Sequence, residues 1–327
     1  LENRLLYEEI ASGKIRAYFS FRNFFDVFKI FFGAINALFK MFSIYPDVVF
    51  GKGGYASFPA IFAARILRIP VLIHESDSVP GRVNLWAGHF AKKIAVSFAK
   101  TAVYFPKKRV AWTGQPIRTE IENRSSQKEA LEYFKLEEKT PVIVVLGGSQ
   151  GAELINNIIL DALPILIKNY QIIHQTGIKN FKTVSGQADV ILAAEGQNKI
   201  KYLPYSFLNS LQIKMAAGAA TIIVSRAGAS ALFEIASWNV PSIIIPITKS
   251  NGNHQRSNAF DYARSGACSV VEEANMTANI LISEIERIIK NKDDYKKMME
   301  NAKAFNKSGA AEKIANELVN IALSHEE

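Results

Sequence analysis

Residues 142–159 read VIVVLGGSQGAELINNII: a β-branched apolar run, a turn carrying Gly147, Gly148 and Gly151, then a segment with helical spacing. A glycine turn between a strand and a helix lets backbone N–H groups approach a phosphate at the positive end of the helix dipole. The turn is not GxGxxG, and no Lys-Ser/Thr follows it as a nucleoside triphosphatase loop requires. It predicts a phosphate-binding turn of another kind, with Gly148, Ser149 and Gln150 at its centre. Four more polar or glycine-rich turns follow apolar runs: GKGGYAS at 51–57, HESDSVPG at 74–81, SRAGASALFEIA at 225–236 and NHQRSNA at 253–259.

Each turn has a plainer reading. A glycine pair after a strand serves tight packing, Glu234 fits a capped or solvated carboxylate, and His74-Glu75 fits a buried, mutually satisfied pair. Against this, Glu234 lies where a helix starts after RAGAS, a place suited to hydrogen bonds with sugar hydroxyls, as an acidic residue makes to the ribose in dinucleotide folds. All five turns also occupy the same place in an alternation of strands and helices.

The elements that must hold these turns are legible. PDVVFGKGG, IPVLIHES and KIAVSF read as strands in the first half, separated by the helical FPAIFAARILR and RVNLWAGHFAK. VIVVLGG, YQIIHQTG, TIIVSRAG, VPSIIIPIT and CSVVEEA repeat the pattern in the second half. Continuous apolar strands linked by helices describe parallel sheets buried on both faces, so the fold class is α/β with two Rossmann-like domains. In such sheets ligands bind beyond the carboxyl ends of the strands, where these turns lie. TGQPIRTEI followed by the polar ENRSSQKEALEYF is the best linker, which gives domains 1–117 and 118–307.

A chain of 327 residues, 49% hydrophobic, suits two domains of ordinary size. The single cysteine, Cys268, excludes a disulfide framework and fits a reducing cytoplasm. The longest stretch without a charged residue, 235–248, falls short of the roughly 20 apolar residues of a membrane span, so no transmembrane helix is expected. No basic-then-apolar leader opens the chain. Residues 1–118 hold 17 Lys/Arg against 7 Asp/Glu, net +10, and the rest of the chain is net −1. A basic half implies an anionic partner: an anionic membrane surface, a phosphorylated substrate or nucleic acid. No zinc-finger spacing or RNA-binding signature favours nucleic acid. The bland alternative is a solvated basic face.

Taken in order, PDVVFGKGGYASFPAIFAA, IPVLIHESDSVPGRVN, GQPIR, LGGSQGA, SRAGASALFEIA and NHQRSNA resemble the MurG family of peptidoglycan synthesis over nearly the whole chain. The resemblance implies the GT-B fold, two Rossmann-like domains facing an interdomain cleft, with a C-terminal helix (308–327) returning to the N-terminal domain. It implies an inverting, UDP-GlcNAc-dependent hexosyltransferase that moves N-acetylglucosamine onto the muramoyl 4-hydroxyl of lipid I, forming lipid II at the cytoplasmic face of the inner membrane. By that resemblance the Gly147–Gly151 turn, with Gly148, Ser149 and Gln150, meets the donor diphosphate, and Arg118 faces the same group. Glu234 holds the uridine ribose beside Ala227, Gly228 and Ala229, while His254 and Gln255 reach the donor sugar. Gly53, Gly54, Tyr55, Asp77 and Asn84 match the acceptor-side loops, with Glu75 and His74 as the catalytic candidates and Glu75 as the base. Arginine and a helix N-terminus can stabilise the departing diphosphate without a held metal. No Asp-x-Asp motif is present, no cofactor is required, and divalent cations are at most stimulants.

One departure touches activity. Family members begin with a strand and a Gly-Gly-Thr-Gly-Gly-His loop, whereas this sequence starts Leu1-Glu2-Asn3-Arg4. The expectation is a chain truncated at its start, its first sheet short of a central strand, which opens a second reading as a non-catalytic sugar-nucleotide-binding or membrane-recruiting subunit. A third keeps the enzyme but exchanges lipid I for another lipid acceptor such as diacylglycerol. A smaller departure, AAGAATIIVSRAG without the usual Asp before the strand, carries no functional consequence.

RNFFDVFKIFFGAINALFKMF, 22–42, shows polar or small residues only along a narrow stripe at Arg22, Asp26, Lys29, Gly33, Asn36 and Lys40. A helix so apolar is expected to be buried. Partial contact with a membrane interface is the alternative, since aromatic residues with nearby Lys and Arg suit a headgroup region.

Overall fold

A computed structural model describes residues 6–13, 21–148, 151–193, 195–248 and 253–326. The chain forms two compact units, Leu1–Gln115 with Gly309–Glu327, and Pro116–Ser308. In the first unit, helix α1 (Phe21–Ile44) precedes strand β1 (Val49–Gly51), α2 (Phe58–Ile66), β2 (Val71–Glu75), α3 (Arg82–Gly88), β3 (Lys93–Val96) and β4 (Val110–Trp112). The four strands are parallel and lie in chain order. Alternation sorts the side chains of β2 and β3. Val71, Ile73, Ile94 and Val96 pack with Ile61, Ala64 and Ala87 of the crossover helices. Leu72 and Ala95, one step out of phase, pack against Ile314 and Ile321 near the chain's end.

The second unit runs α4 (Thr119–Glu122), α5 (Gln127–Phe134), β5 (Val142–Leu146), α6 (Glu153–Leu166), β6 (Gln171–Gln175), α7 (Phe181–Ile191) and β7 (Tyr202–Tyr205). It continues through α8 (Ser210–Ala219), β8 (Ile222–Ser225), α9 (Ala229–Trp238), β9 (Ser242–Ile244), α10 (His254–Arg264), β10 (Cys268–Val270), α11 (Ala278–Lys290) and α12 (Lys292–Phe305). Helix α13 (Ala310–Glu326) belongs to the first unit and carries Ile314 and Ile321. The six parallel strands are ordered β10-β9-β8-β5-β6-β7. From β5 the chain builds outward to β7, then returns beside β5 with β8 and builds the other way. The loops after β5 and β8 therefore part on opposite sides of one crevice, the position at which open α/β sheets bind ligands.

The stretch 122–134, read as linker, contains ordered structure. Ser126 accepts the Glu129 N–H while Glu129 reaches back to the Ser126 N–H, a capping box that starts α5. Trp238, fully buried on α9, donates to Ile121 O of α4 at 2.6 Å and closes that side of the unit.

Burial of α1 is overturned. Phe24, Phe25, Phe28, Phe31, Phe32, Phe39 and Phe42 are all between 48% and 72% exposed. On the opposite side, Gly33, Ala37 and Lys40 meet protein, while Lys29 and Asn36 of the polar stripe face solvent. A Cβ on Gly33 would collide with the Ala11 carbonyl, Ala37 is fully buried, and Lys40 bonds the Glu8 carboxylate and the Glu9 carbonyl. By length and composition Phe24–Ile44 is also sufficient to cross a membrane. A search for an uncharged window misses it because Asp26, Lys29 and Lys40 interrupt the run.

Candidate functional site

β5 delivers five fully buried residues into Gly147, whose N–H donates to Gln175 O at 3.3 Å. Gly148 and Gly151 both have φ of +79°, where side-chain-bearing residues are strained. Gly151 also has no room: a Cβ there would sit 2.4 Å from Thr176 O and 2.6 Å from Asn180 Nδ2. Ser149 and Gln150 lie outside the described residues. Ala152 has no side chain that can cap α6, and among the described residues none caps the helix N–H groups on which the turn ends.

β8 ends at Ser225 and passes through Arg226, Ala227 and Gly228 into α9, which begins at Ala229. In the second turn of α9, Glu234 is mostly buried, with its carboxylate 3.8 Å from the Arg118 guanidinium. Burial raises its pKa above the ordinary value and Arg118 opposes the rise. Arg118 and Glu234 are thus brought together at the α9 end of the crevice. After β9, the Gln255 side-chain oxygen accepts the Ile247 N–H, and His254 opens α10. Asn258, fully buried, donates to Ala227 O and joins the β8 and β9 turns.

Two members of this cluster escape sequence reasoning. Arg226 donates to Ile245 O and pairs with Glu273 at 2.6 Å, and Glu273 also accepts the Thr248 N–H. Burial alone would raise the pKa of Glu273. Its bonds to Thr248 and Arg226 more than offset that, and the carboxyl lies below its ordinary value. The latch fixes the turn from Ile245 to Thr248. Arg226 follows an apolar strand and could have been singled out, whereas a partner 47 positions away leaves no local signal. Glu273→Gln should lower stability by about 2 kcal/mol, the worth of a charge-assisted bond in a partly buried setting. A urea midpoint measures it, and an unchanged midpoint would show the latch to be idle.

The first unit places its candidates on the carboxyl ends of β1 and β2. Gly53 and Gly54 have φ near +78°, and a Cβ on Gly53 would meet Asn84 Nδ2 at 2.5 Å, so Asn84 backs the turn from which half-exposed Tyr55 projects. His74 is wholly buried, with Nε2 3.1 Å from Ser97 Oγ and 3.3 Å from Gly114 O, and Nδ1 3.4 Å from Ser76 Oγ. Desolvation, then the nearby Lys52 charge, lower its pKa to about 4. The Glu75 carboxylate accepts from the Asp77 N–H, the Gly81 N–H and Asn84 Nδ2. Both side chains are buried and hydrogen-bonded: Glu75 ties down Asp77, Gly81 and Asn84, and His74 ties Ser97 and Gly114 to the end of β2.

His174, in the second unit, is likewise held neutral, its pKa lowered to about 3 by burial. For both histidines the folded pKa lies below the unfolded value of 6.5, so the unfolded chain binds the proton first and stability is lost as pH falls below 6.5. The loss is about 1.4 kcal/mol per pH unit per histidine, continuing to about pH 4 for His74 and about pH 3 for His174. Glu75 and Glu234, with raised pKa values, return part of it near their own titrations. Urea melts at pH 6.5 and pH 5.0 should differ by about 2 kcal/mol for each unit before that return. His174→Gln should flatten the slope of the second unit alone.

Comparison with known proteins places these loops in a family. The glycosyltransferase family 28 C-terminal domain matches residues 142–314 and its N-terminal domain matches residues 1–96. A UDP-N-acetylglucosamine–N-acetylmuramyl-(pentapeptide) pyrophosphoryl-undecaprenol N-acetylglucosamine transferase of Bacillus thuringiensis subsp. konkukian is 36% identical over 291 residues, 89% of this chain and 79% of that protein. The Staphylococcus aureus transferase of the same description is 33% identical over 320 residues, covering 97% and 85%. Among solved structures, MurG of Acinetobacter baumannii superposes with a TM-score of 0.70 at 25% identity, covering 90% of this chain and 79% of that one. The S. aureus MnaA–UDP complex, at 16% identity and a TM-score of 0.65, shares the fold over 88% and 80%.

Proposed function

The chain belongs to the MurG family of glycosyltransferases, and from that premise we infer that it transfers N-acetylglucosamine from UDP-GlcNAc to the muramoyl 4-hydroxyl of lipid I, with inversion, to give lipid II. One observation supports the donor half above the others. The Gly147–Gly151 turn and the β8–α9 turn lie at the carboxyl ends of the two neighbouring strands where the strand order of the second unit reverses, Glu234 of α9 pairs with Arg118, and the His254-Gln255 pair opens α10 after β9.

In this reading the donor diphosphate lies on the glycine turn against the uncapped start of α6, with Ser149 and Gln150 alongside and Arg118 opposite. Glu234 accepts from the ribose hydroxyls, beside Ala229. His254 reaches the sugar, and Gln255 shapes its pocket by holding Ile247. As the anomeric bond breaks, negative charge grows on the β-phosphate, where the helix dipole and Arg118 are already directed. The acceptor approaches the Gly53-Gly54-Tyr55 turn and Asp77. Asn84, His74 and Glu75 keep those loops in shape without touching the reacting atoms. Lys52, near His74 and with desolvation lowering its pKa, is a cation suited to the acceptor's diphosphate.

The exposed apolar face of α1 supports a peripheral place on the cytoplasmic face of the plasma membrane, where the basic surplus of residues 1–118 is attracted to anionic lipid.

The test is transfer of labelled N-acetylglucosamine from UDP-GlcNAc to a lipid I analogue, with diacylglycerol as the competing acceptor. Labelled lipid II is expected, with Glu234→Ala raising the KM for UDP-GlcNAc about 100-fold through loss of charge-assisted bonds to the ribose. Labelled diacylglycerol would overturn the acceptor assignment, and binding of UDP-GlcNAc without turnover would overturn catalysis.

A further inference from the structure

Behind the donor turn lies a buried chain of polar groups with no evident part in the chemistry. Tyr202 on β7, His174 on β6 and Asn156 on α6 are joined by a 2.9 Å contact from Tyr202 OH to His174 Nδ1 and a 3.0 Å contact from His174 Nε2 to Asn156 Oδ1. Asn156 Nδ2 then donates to Thr176 O at 3.0 Å. His174 is 0% exposed and Asn156 is 1% exposed.

The direction of every bond follows from the last one. A backbone carbonyl can only accept, so the Asn156 group facing Thr176 is the amide NH2, and its oxygen faces the imidazole. His174 must then donate from Nε2, which leaves Nδ1 as the acceptor of the Tyr202 hydroxyl proton. Burial, which holds the ring neutral, keeps this single arrangement. The chain ends on the Thr176 carbonyl, the same atom that stands 2.4 Å from where a Cβ on Gly151 would be. Asn156 itself lies in the first turn of α6, with its N–H on Ala152 O. One amide therefore spaces the end of β6, the start of α6 and the glycine turn between them. A leucine in place of Asn156 would fill the core as well, and three buried polar side chains in a row are costly to assemble unless all are satisfied.

We infer that Tyr202, His174 and Asn156 are positioning residues for the donor diphosphate: they hold the Thr176 carbonyl and the first turn of α6 at the separation that seats Gly151 and directs the first N–H groups of α6, the Gly147 and Gly151 N–H groups being taken up by Gln175 O and Gly148 O. This rests on the reading of that turn as the diphosphate site. None of the three touches substrate. They act through the geometry of the turn.

Tyr202→Phe keeps the ring and its packing and removes only the hydroxyl that fixes the imidazole. The bond directions, set by the Thr176 carbonyl, stay as they are, but the buried Nδ1 loses its donor and the imidazole loses the anchor that holds its Nε2–H on Asn156, so the clamp on Thr176 O loosens. Calorimetric affinities of wild type and Tyr202→Phe for UDP and for uridine provide the test. UDP binding should weaken about ten-fold, the loss of roughly one hydrogen bond's worth of alignment, while uridine binding stays unchanged, and the KM for the lipid acceptor stays unchanged. A merely structural network would lower the urea midpoint and leave the UDP-to-uridine affinity ratio where it was, and that result would overturn the inference. Should wild type itself bind UDP no better than uridine, the diphosphate reading of the turn would be the part that fails. Asn156→Leu, which deletes the clamp directly, should give the same selective loss of UDP affinity. An Asn156→Leu variant that folds and binds UDP as wild type does would also overturn the inference.

Discussion

Gly151→Ala should weaken UDP-GlcNAc binding by at least about 100-fold while Gly148→Ala, three residues away, weakens it about ten-fold or less. Both glycines share a φ of +79°, so either alanine incurs the same left-handed backbone cost of about 1–2 kcal/mol. The surroundings separate them. At Gly148 an added Cβ meets nothing within 4 Å among the described residues. At Gly151 the Cβ would press on Asn180 Nδ2, which can swing away, and on Thr176 O, which cannot. That carbonyl is pinned by Asn156, and its residue is pinned by two bonds to Tyr205 O, one from the N–H and one from the hydroxyl. Relief must come from the turn, by a shift of about 1 Å, and a misplacement of that size can cost about two orders of magnitude at a site that relies on aimed donors. Calorimetric titration with UDP-GlcNAc, beside a thermal melt to report the common backbone cost, gives the comparison. Equal losses in the two variants would mean that the Thr176 wall does not set the geometry of the turn.

The contrast also marks what a sequence can say about such a site. That Gly147, Gly148 and Gly151 end a strand and open a helix is legible, because β-branched runs and glycine punctuation are local. That the strands around them run parallel follows from the alternation, whereas their order does not. Which glycine is walled in is not legible, since the wall is a carbonyl 25 residues on, held by Asn156 of α6, which a histidine–tyrosine pair from β6 and β7 holds in turn. The same gap separates His74-Glu75 as letters from the pair as folded: a His-Glu at a strand end does not announce that Asp77, Gly81 and Asn84 donate to its carboxylate. The Ser126–Glu129 box lay in plain view within a stretch whose polarity argued for a linker. There the local capping signal outweighed composition.

The helix α1 carries the other large effect, and sequence misread it for a physical reason. Hydrophobicity specifies that a face must leave water and does not specify what covers it. Viewed down the axis at 100° per residue, Phe24, Phe28, Phe31, Phe39 and Phe42 fall within an arc of about 80°, opposite the side where Gly33 and Ala37 meet protein. Replacing Phe24, Phe28, Phe31 and Phe39 together by Ser should leave the fold intact, because these rings are 48–72% exposed and contribute little to the core. It should nevertheless abolish binding to anionic vesicles. Burying half of each ring in an interface yields about 1–1.5 kcal/mol, so four rings give about 4–6 kcal/mol, or roughly 1,000- to 10,000-fold in partitioning. The basic surplus of the first 118 residues adds about 1 kcal/mol for each cation near the surface, a term that salt should erase while the aromatic term persists. Co-sedimentation with vesicles of phosphatidylglycerol and phosphatidylcholine, at low and high salt, resolves the two contributions. If the four-serine variant sediments as wild type does at high salt, the face is covered by something other than lipid. If wild type itself fails to sediment at low salt, α1 is not a membrane surface at all.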